Sequence, residues 1–334
     1  MKKKLTFTIL ALLCIVTFLL SMYWGSYRIN VSEIFAVFLG KGENMARIAI
    51  MTIRLPRTIV AIFVAVALAT SGAILQTITK NDLADPGVMG INSGAALAAV
   101  LFVEHQTTAY YTELGDFSIY MLPLFAITGA IISAAFIYVL SCLEGFSNTK
   151  LLLTGIGVNA GINAFISFRT FRFGNNEYNK ILTWTTGSLW GSGWSYVKGI
   201  VPIIIITFII AIYNNKKLDV MQFNDEIGTG LGLNVNRARV WLLILAVVMA
   251  GTATAFAGNI GFLGLVAPHI AKKILGNRHK AFIPASAMIA VVILIFADAI
   301  SRNLFSPIEL PAGITVSVIG VPYFLYLVWK NKES

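Results

Sequence analysis

Long apolar stretches alternate with short polar breaks along the whole chain. Eight stretches are long enough to cross a bilayer as helices: 5–24, 56–79, 118–141, 150–168, 196–213, 239–257, 281–300 and 312–329. Two more, at 93–103 and 262–275, are too short to span alone and fit only where neighbouring helices bury them. A membrane barrel would instead alternate apolar and polar residues over about ten positions per strand. The runs here are unbroken, so the pattern predicts an all-α polytopic membrane protein with about ten transmembrane helices. No linker, low-complexity run or evident internal repeat divides residues 1–334, which read as a single transmembrane domain.

The second stretch has the sharpest borders. Arg54-Leu-Pro-Arg57 opens it, and Asn81-Asp-Leu-Ala-Asp-Pro-Gly-Val-Met-Gly90 closes it. The closing segment predicts a helix stop, a turn and a restart, with Pro86 presetting its dihedral and Gly87 supplying a positive φ. Small residues follow in Ser93-Gly-Ala-Ala-Leu-Ala-Ala and again from Gly251 to Gly264, where helices can approach closely. The loop from Arg169 to Tyr196 is aromatic and holds Trp184, Trp190 and Trp194. It reads as an interfacial belt, with a gate or docking surface at a pathway's mouth as the alternative. The loop at about 214–239 is longer than a turn needs. Its Val220, Phe223, Ile227 and Leu231 form one stripe, which predicts a short amphipathic helix on the membrane's inner face.

Composition agrees with a membrane chain: 57% hydrophobic and 12% charged, where soluble domains carry about 25% charged residues. The net charge of +10 is therefore read as a topology signal and not as a nucleic-acid signal. With the N-terminus in the cytoplasm, fifteen of the 25 Lys and Arg residues fall on the inner side. That bias predicts cytoplasmic N- and C-termini. Lys2-Lys3-Lys4 and the apolar run after them resemble a signal peptide, but the run is long and ends without a small-residue cleavage site. It predicts a retained first helix. Cys14 and Cys142 fall inside spans and imply no disulfide framework.

Enzyme constellations are missing from the sequence. His105, His269 and His279 belong to no HExxH motif, and no Cys/His cluster has metal-ligand spacing. There is neither a GxSxG elbow nor a GxxxxGK[ST] phosphate loop, so ATP-driven transport would need a second chain to bind the nucleotide. Arg54 and Arg57 lie one helical turn apart at the outer end of a span, with Arg302 beside another. Such a set either snorkels or forms bidentate bonds with a partner's carboxylates. Asp298 precedes Arg302 by one turn and predicts an intrahelical pair. Asn159 and Asn163 share one face of the fifth span and suit either a pathway lining or helix–helix contact. His269 reads as a structural hydrogen-bonder.

Five strings together resemble the FecCD family: Arg54-Leu-Pro-Arg57, Ser71-Gly-Ala-Ile-Leu-Gln76, Asn81-Asp-Leu-Ala-Asp-Pro-Gly87, Gly258-Asn-Ile-Gly-Phe-Leu-Gly-Leu-Val-Ala-Pro-His269 and Glu309-Leu-Pro-Ala-Gly313. These are permease subunits of binding-protein-dependent ABC importers for iron–siderophores, haem and cobalamin. The resemblance implies a type II ABC importer permease fold and a pair of permeases, identical or paralogous, with two ATP-binding subunits below and a substrate-binding protein above. It implies docking of that protein by Arg54, Arg57 and Arg302. It implies ATPase coupling through Asp225, Glu226, Gly230, Leu231 and Gly232, and a pathway near Asn159 and Asn163. The chain would bind no cofactor or metal, and ATP and Mg²⁺ would act on the partner ATPase. Departures from the family pattern include Asp82 for a usual proline, Asn259 for a proline, Lys272 for an arginine, and Gly228 and Gly230 in the coupling stretch. Glycine costs a helix about 1 kcal/mol against alanine. The expected function is import of ferric siderophores, with haem or cobalamin as other cargoes of the same mechanism. A proton- or sodium-driven transporter is the alternative from another class, and it would need a titratable relay inside the spans.

Overall fold

A computed structural model describes residues 2–25, 27, 29–108, 118–143, 145–171, 181, 182, 184–304 and 309–330. The middle of the expected aromatic loop, residues 172–180, lies outside the described set. Every apolar stretch read from the sequence is a helix, and no strand occurs among the described residues. The helices are α1 (Lys2–Tyr23), α2 (Val31–Phe38), α3 (Asn44–Thr79), α4 (Ile91–Thr108), α5 (Ser118–Cys142), α6 (Asn148–Thr170), α7 (Trp194–Tyr213), α8 (Asn215–Met221), α9 (Asp225–Gly230), α10 (Val235–Ala257), α11 (Leu263–Leu275), α12 (His279–Asn303) and α13 (Ala312–Lys330). Seven are long and apolar enough to cross a membrane, and α4 and α13 contain shorter apolar runs, Ile91–Phe102 and Ala312–Tyr326.

Helix α3 is the axis of the bundle. It packs against α7, α10, α11 and α12, and from Val60 onward most of its side chains are buried. Its composition permits this, since alanine, glycine, serine and threonine dominate the face from Ala65 to Ala73. At Gly72 the neighbour is so close that a Cβ would sit 1.9 Å from the Gly264 carbonyl oxygen. The predicted small-residue contact after the turn is also present: Gly94 of α4 meets Gly129 of α5 at a spacing that no Cβ would fit. Helices α6 and α13 lie at the periphery and keep exposed faces.

Three details depart from the sequence reading. Helix α3 begins well before Pro56, and residues Ile48–Arg54 wind as a π-helix. The ring of Pro56 lacks an N–H and crowds the preceding turn, which a wider helix relieves. In the turn after α3, the positive φ values occur at Lys80 and Gly90, not at Gly87. Gly87 instead gives its N–H to the buried Asp85 carboxylate at 2.8 Å. Finally, Trp190 and Trp194 are exposed as a belt would have them, but Trp184 packs against the core. Its carbonyl accepts the Asn259 N–H inside the bundle, where Ser188 also donates to Ala257 and Gly313 to Gly187. Interrupted backbone thus meets interrupted backbone, and each polar group finds its partner away from lipid.

Candidate functional site

The chemistry-bearing residues gather at the two ends of α3. Arg54 and Lys80 are 26 residues apart, about 39 Å along a helix. At the first end, the π-helix delivers Arg54 and the following turn delivers Arg57. Arg54 donates to the carbonyls of Met22 and Tyr27, at the end of α1 and just beyond. Arg57 donates to Asp298 Oδ1 at 2.8 Å and to Glu309 Oε2 at 2.8 Å. Arg302 lies 3.2 Å from the other Asp298 oxygen and donates to Ser21 Oγ at 2.9 Å. Ser21 in turn bonds Thr58, which donates to the Arg54 carbonyl.

Arg54, Arg57 and Arg302 are 5%, 5% and 7% exposed. The sequence reading had put these arginines on an open face; they are instead buried and bonded within the chain. The expected Asp298–Arg302 pair is present, but Asp298 also serves Arg57, and this sharing could not be seen from spacing. Glu309 is the least covered member, with its side chain 35% exposed. Taking one partner from such a buried set leaves an uncompensated charge, which costs about 3–5 kcal/mol.

The opposite end is built differently. The predicted amphipathic helix is two short helices, α8 and α9, broken at Gln222–Asn224. Asp225 caps this region with ion pairs to Arg239 at 2.6 Å and Lys80 at 3.3 Å, which tie it to α10 and α3. Burial pushes the Asp225 carboxyl up, but the Arg239 and Lys80 contacts outweigh it and hold it below its usual value. Glu226, Gly230 and Gly232 are exposed, and Gly232 has φ 84°, so glycine suits the turn there. Phe223, Ile227 and Leu231 are 53%, 51% and 62% exposed. The stripe faces outward rather than onto the bundle. Glycine at 228 has a packing reason, because Val235 presses within 3.0 Å of where its Cβ would be.

Asn159 and Asn163 lie on the exposed side of α6 and bond each other at 2.8 Å. Gly157 and Gly161 beside them have open space where a Cβ would be. An amide face turned to lipid is costly, so this face fits a protein partner or water. His269 is not the structural hydrogen-bonder expected: it is buried, and neither ring nitrogen finds a partner among the described residues. Its ring stands edge-on to Tyr323. His279, which the sequence left without a role, bonds Asp219 and Thr77. No group of three or more His, Cys, Asp or Glu residues fit to hold a metal occurs among the described residues.

Ten apolar segments, interrupted helices meeting inside the bundle, and two differently built ends define a multi-pass helical membrane protein. The model of the FecCD transport family matches residues 13–330, and the chain belongs to that family. It is 38% identical over 330 residues to the iron(3+)-hydroxamate import system permease protein FhuG of Bacillus subtilis, with 98% of each chain covered. It is 39% identical to the Fe(3+)-citrate import system permease protein YfmE of the same organism, covering 97% of this chain and 94% of that one. Among solved structures, an inward-facing metal-chelate type ABC transporter superposes with a TM-score of 0.85 at 25% identity, covering 98% of this chain and 99% of that one. The protein is a transporter subunit and not an enzyme.

Proposed function

We propose that this chain imports ferric siderophores, as the membrane path of an assembly with a second permease, two ATP-binding subunits and an extracytoplasmic binding protein. Whole-length similarity to permeases named for ferric hydroxamate and ferric citrate import carries the cargo class. The Lys/Arg bias supports cytoplasmic termini, which puts the Arg54 end outside and the Asp225 end inside. Arg54, Arg57 and Arg302 form the docking patch. A carboxylate of the binding protein enters there by taking the place of the half-exposed Glu309 beside Arg57. Asp225, Glu226, Gly230, Leu231 and Gly232 form the coupling surface, supported by the outward apolar stripe that awaits a partner. The polar face of α6 at Asn159 and Asn163 lines the path between two permeases. ATP and Mg²⁺ act on the separate subunits, and this chain holds no cofactor.

The test is uptake of iron-labelled hydroxamate, citrate, catecholate and haem by a strain lacking the chain and by the same strain with it restored. Restoration of one ferric-siderophore class is expected. Loss and recovery of haem uptake alone would overturn the cargo assignment.

A further inference from the structure

An apolar cleft of about 380 Å³ opens between α5 and α10. It is lined by residues of α3 to α6 and α10, among them Leu75, Leu151, Val240 and Ile244, and only Tyr138 brings a polar side-chain atom. A shallow, open depression shares Val240 and Ile244 with it and is rimmed by Asn236, Arg237 and Trp241. The two form one groove running along the outward face of α10. From Arg237 to Val248 the groove spans 11 residues, about 16 Å of helix. That is about half of a 30 Å hydrocarbon core, the depth of one leaflet.

The charge at its mouth is specific. Arg239 is buried, lies 4.0 Å from the centroid of the Phe146 ring, and is bound to Asp225 and Asn236. Arg237, two residues earlier, turns to the other side of α10 and is exposed. Its guanidinium has no carboxylate or hydrogen-bond partner among the described residues. Trp241, 47% exposed, stands one turn below it, where an indole suits the membrane border. A free cation, an aromatic border residue and an apolar slot one leaflet deep match the parts of an anionic phospholipid in the same order.

We propose that this groove binds an anionic phospholipid, with its phosphate at Arg237 and an acyl chain between α5 and α10. The site needs only that the chain spans a membrane. Its leaflet, the inner one by charge bias, rests on the proposed orientation. One arginine at an anionic headgroup is worth about 1 kcal/mol, or about fivefold in affinity.

The full chain, purified in detergent, is titrated by native mass spectrometry with dioleoyl phosphatidylglycerol and with dioleoyl phosphatidylcholine. The wild type should prefer phosphatidylglycerol by about fivefold. Arg237→Gln, a surface change, should abolish the preference and keep the residual binding. Ala135→Phe, which fills the cleft from an exposed position on α5, should weaken both lipids severalfold. Equal binding of the two lipids to the wild type, or an undiminished preference in Arg237→Gln, would overturn the proposal. So would a change of oligomeric state in Ala135→Phe with lipid binding intact, which would assign the groove to a second copy of the chain.

Discussion

The two ends of α3 use charge in opposite ways. At the Arg54 end, three arginines and Asp298 are buried and bonded to one another and to the chain, so the end is closed. At the Asp225 end, two partly exposed carboxylates, Asp219 and Asp225, tie two short helices to the bundle, and their apolar stripe faces outward. Buried charge fixes an arrangement because losing any member is expensive. Exposed apolar surface costs little in the isolated chain and is useful only once covered. The contrast leaves the first end with its charges buried and the second with an uncovered apolar stripe.

The hardest way to break this comparison is Asp298→Ala. It strips the shared carboxylate from Arg57 and Arg302, and a loss of about 3–5 kcal/mol is expected. Thermal unfolding in detergent should show a large fall in midpoint; an unchanged midpoint would mean the closed end is not held by charge. Asp85 provides a second probe, between the two ends. Burial raises its carboxyl from 3.8 to about 6, against the hydrogen bonds from Gly87 and Val88. The folded protein therefore holds a proton that the unfolded chain releases in that window. The resulting stability is full below pH 3.8 and is lost as the pH rises through about 6. Asp85→Asn should remove that slope, worth about 3 kcal/mol by linkage. Equal slopes in the two proteins would place the titration elsewhere.

Smaller effects sharpen the picture. Phe223→Ala with Leu231→Ala should leave unfolding within about 0.5 kcal/mol, as exposed positions do. The same pair should weaken association with the ATP-binding subunit tenfold or more, measured by co-purification or light scattering, because apolar anchors dominate interfaces. Unimpaired association would take the stripe out of the coupling surface. Glu309→Gln removes only a partly exposed ion pair, so its stability cost should stay below about 1 kcal/mol. It should also tighten binding-protein association a few fold by clearing Arg57. Weaker association would mean that Glu309 belongs to the docking surface and does not compete for it.

Much of the fold was legible because a membrane imposes a simple period. Runs of about twenty apolar residues gave the helices, and small residues around Gly94 marked a tight contact. What stayed hidden depends on long-range geometry. Nothing near Arg57 in sequence reveals Glu309, 252 residues away, as its partner. The Asn92–Asn259 hydrogen bond was equally silent, since an isolated asparagine carries no address. Arg54, Arg57 and Arg302 were found as residues, but their burial was not, because arginines beside a span look alike whether they face water or fold inward. In the loop at 214–239 the stripe spacing was readable, while the helix break at Gln222–Asn224 was not.

The central claim is that this chain is a path whose two ends answer to separate partners. It is tested most directly in proteoliposomes holding the full permease assembly, with the binding protein and a labelled ferric hydroxamate supplied outside. Accumulation inside should require ATP in the lumen and vanish when the ATP-binding subunits are omitted. Accumulation driven by a proton or sodium gradient, with those subunits absent, would contradict the account.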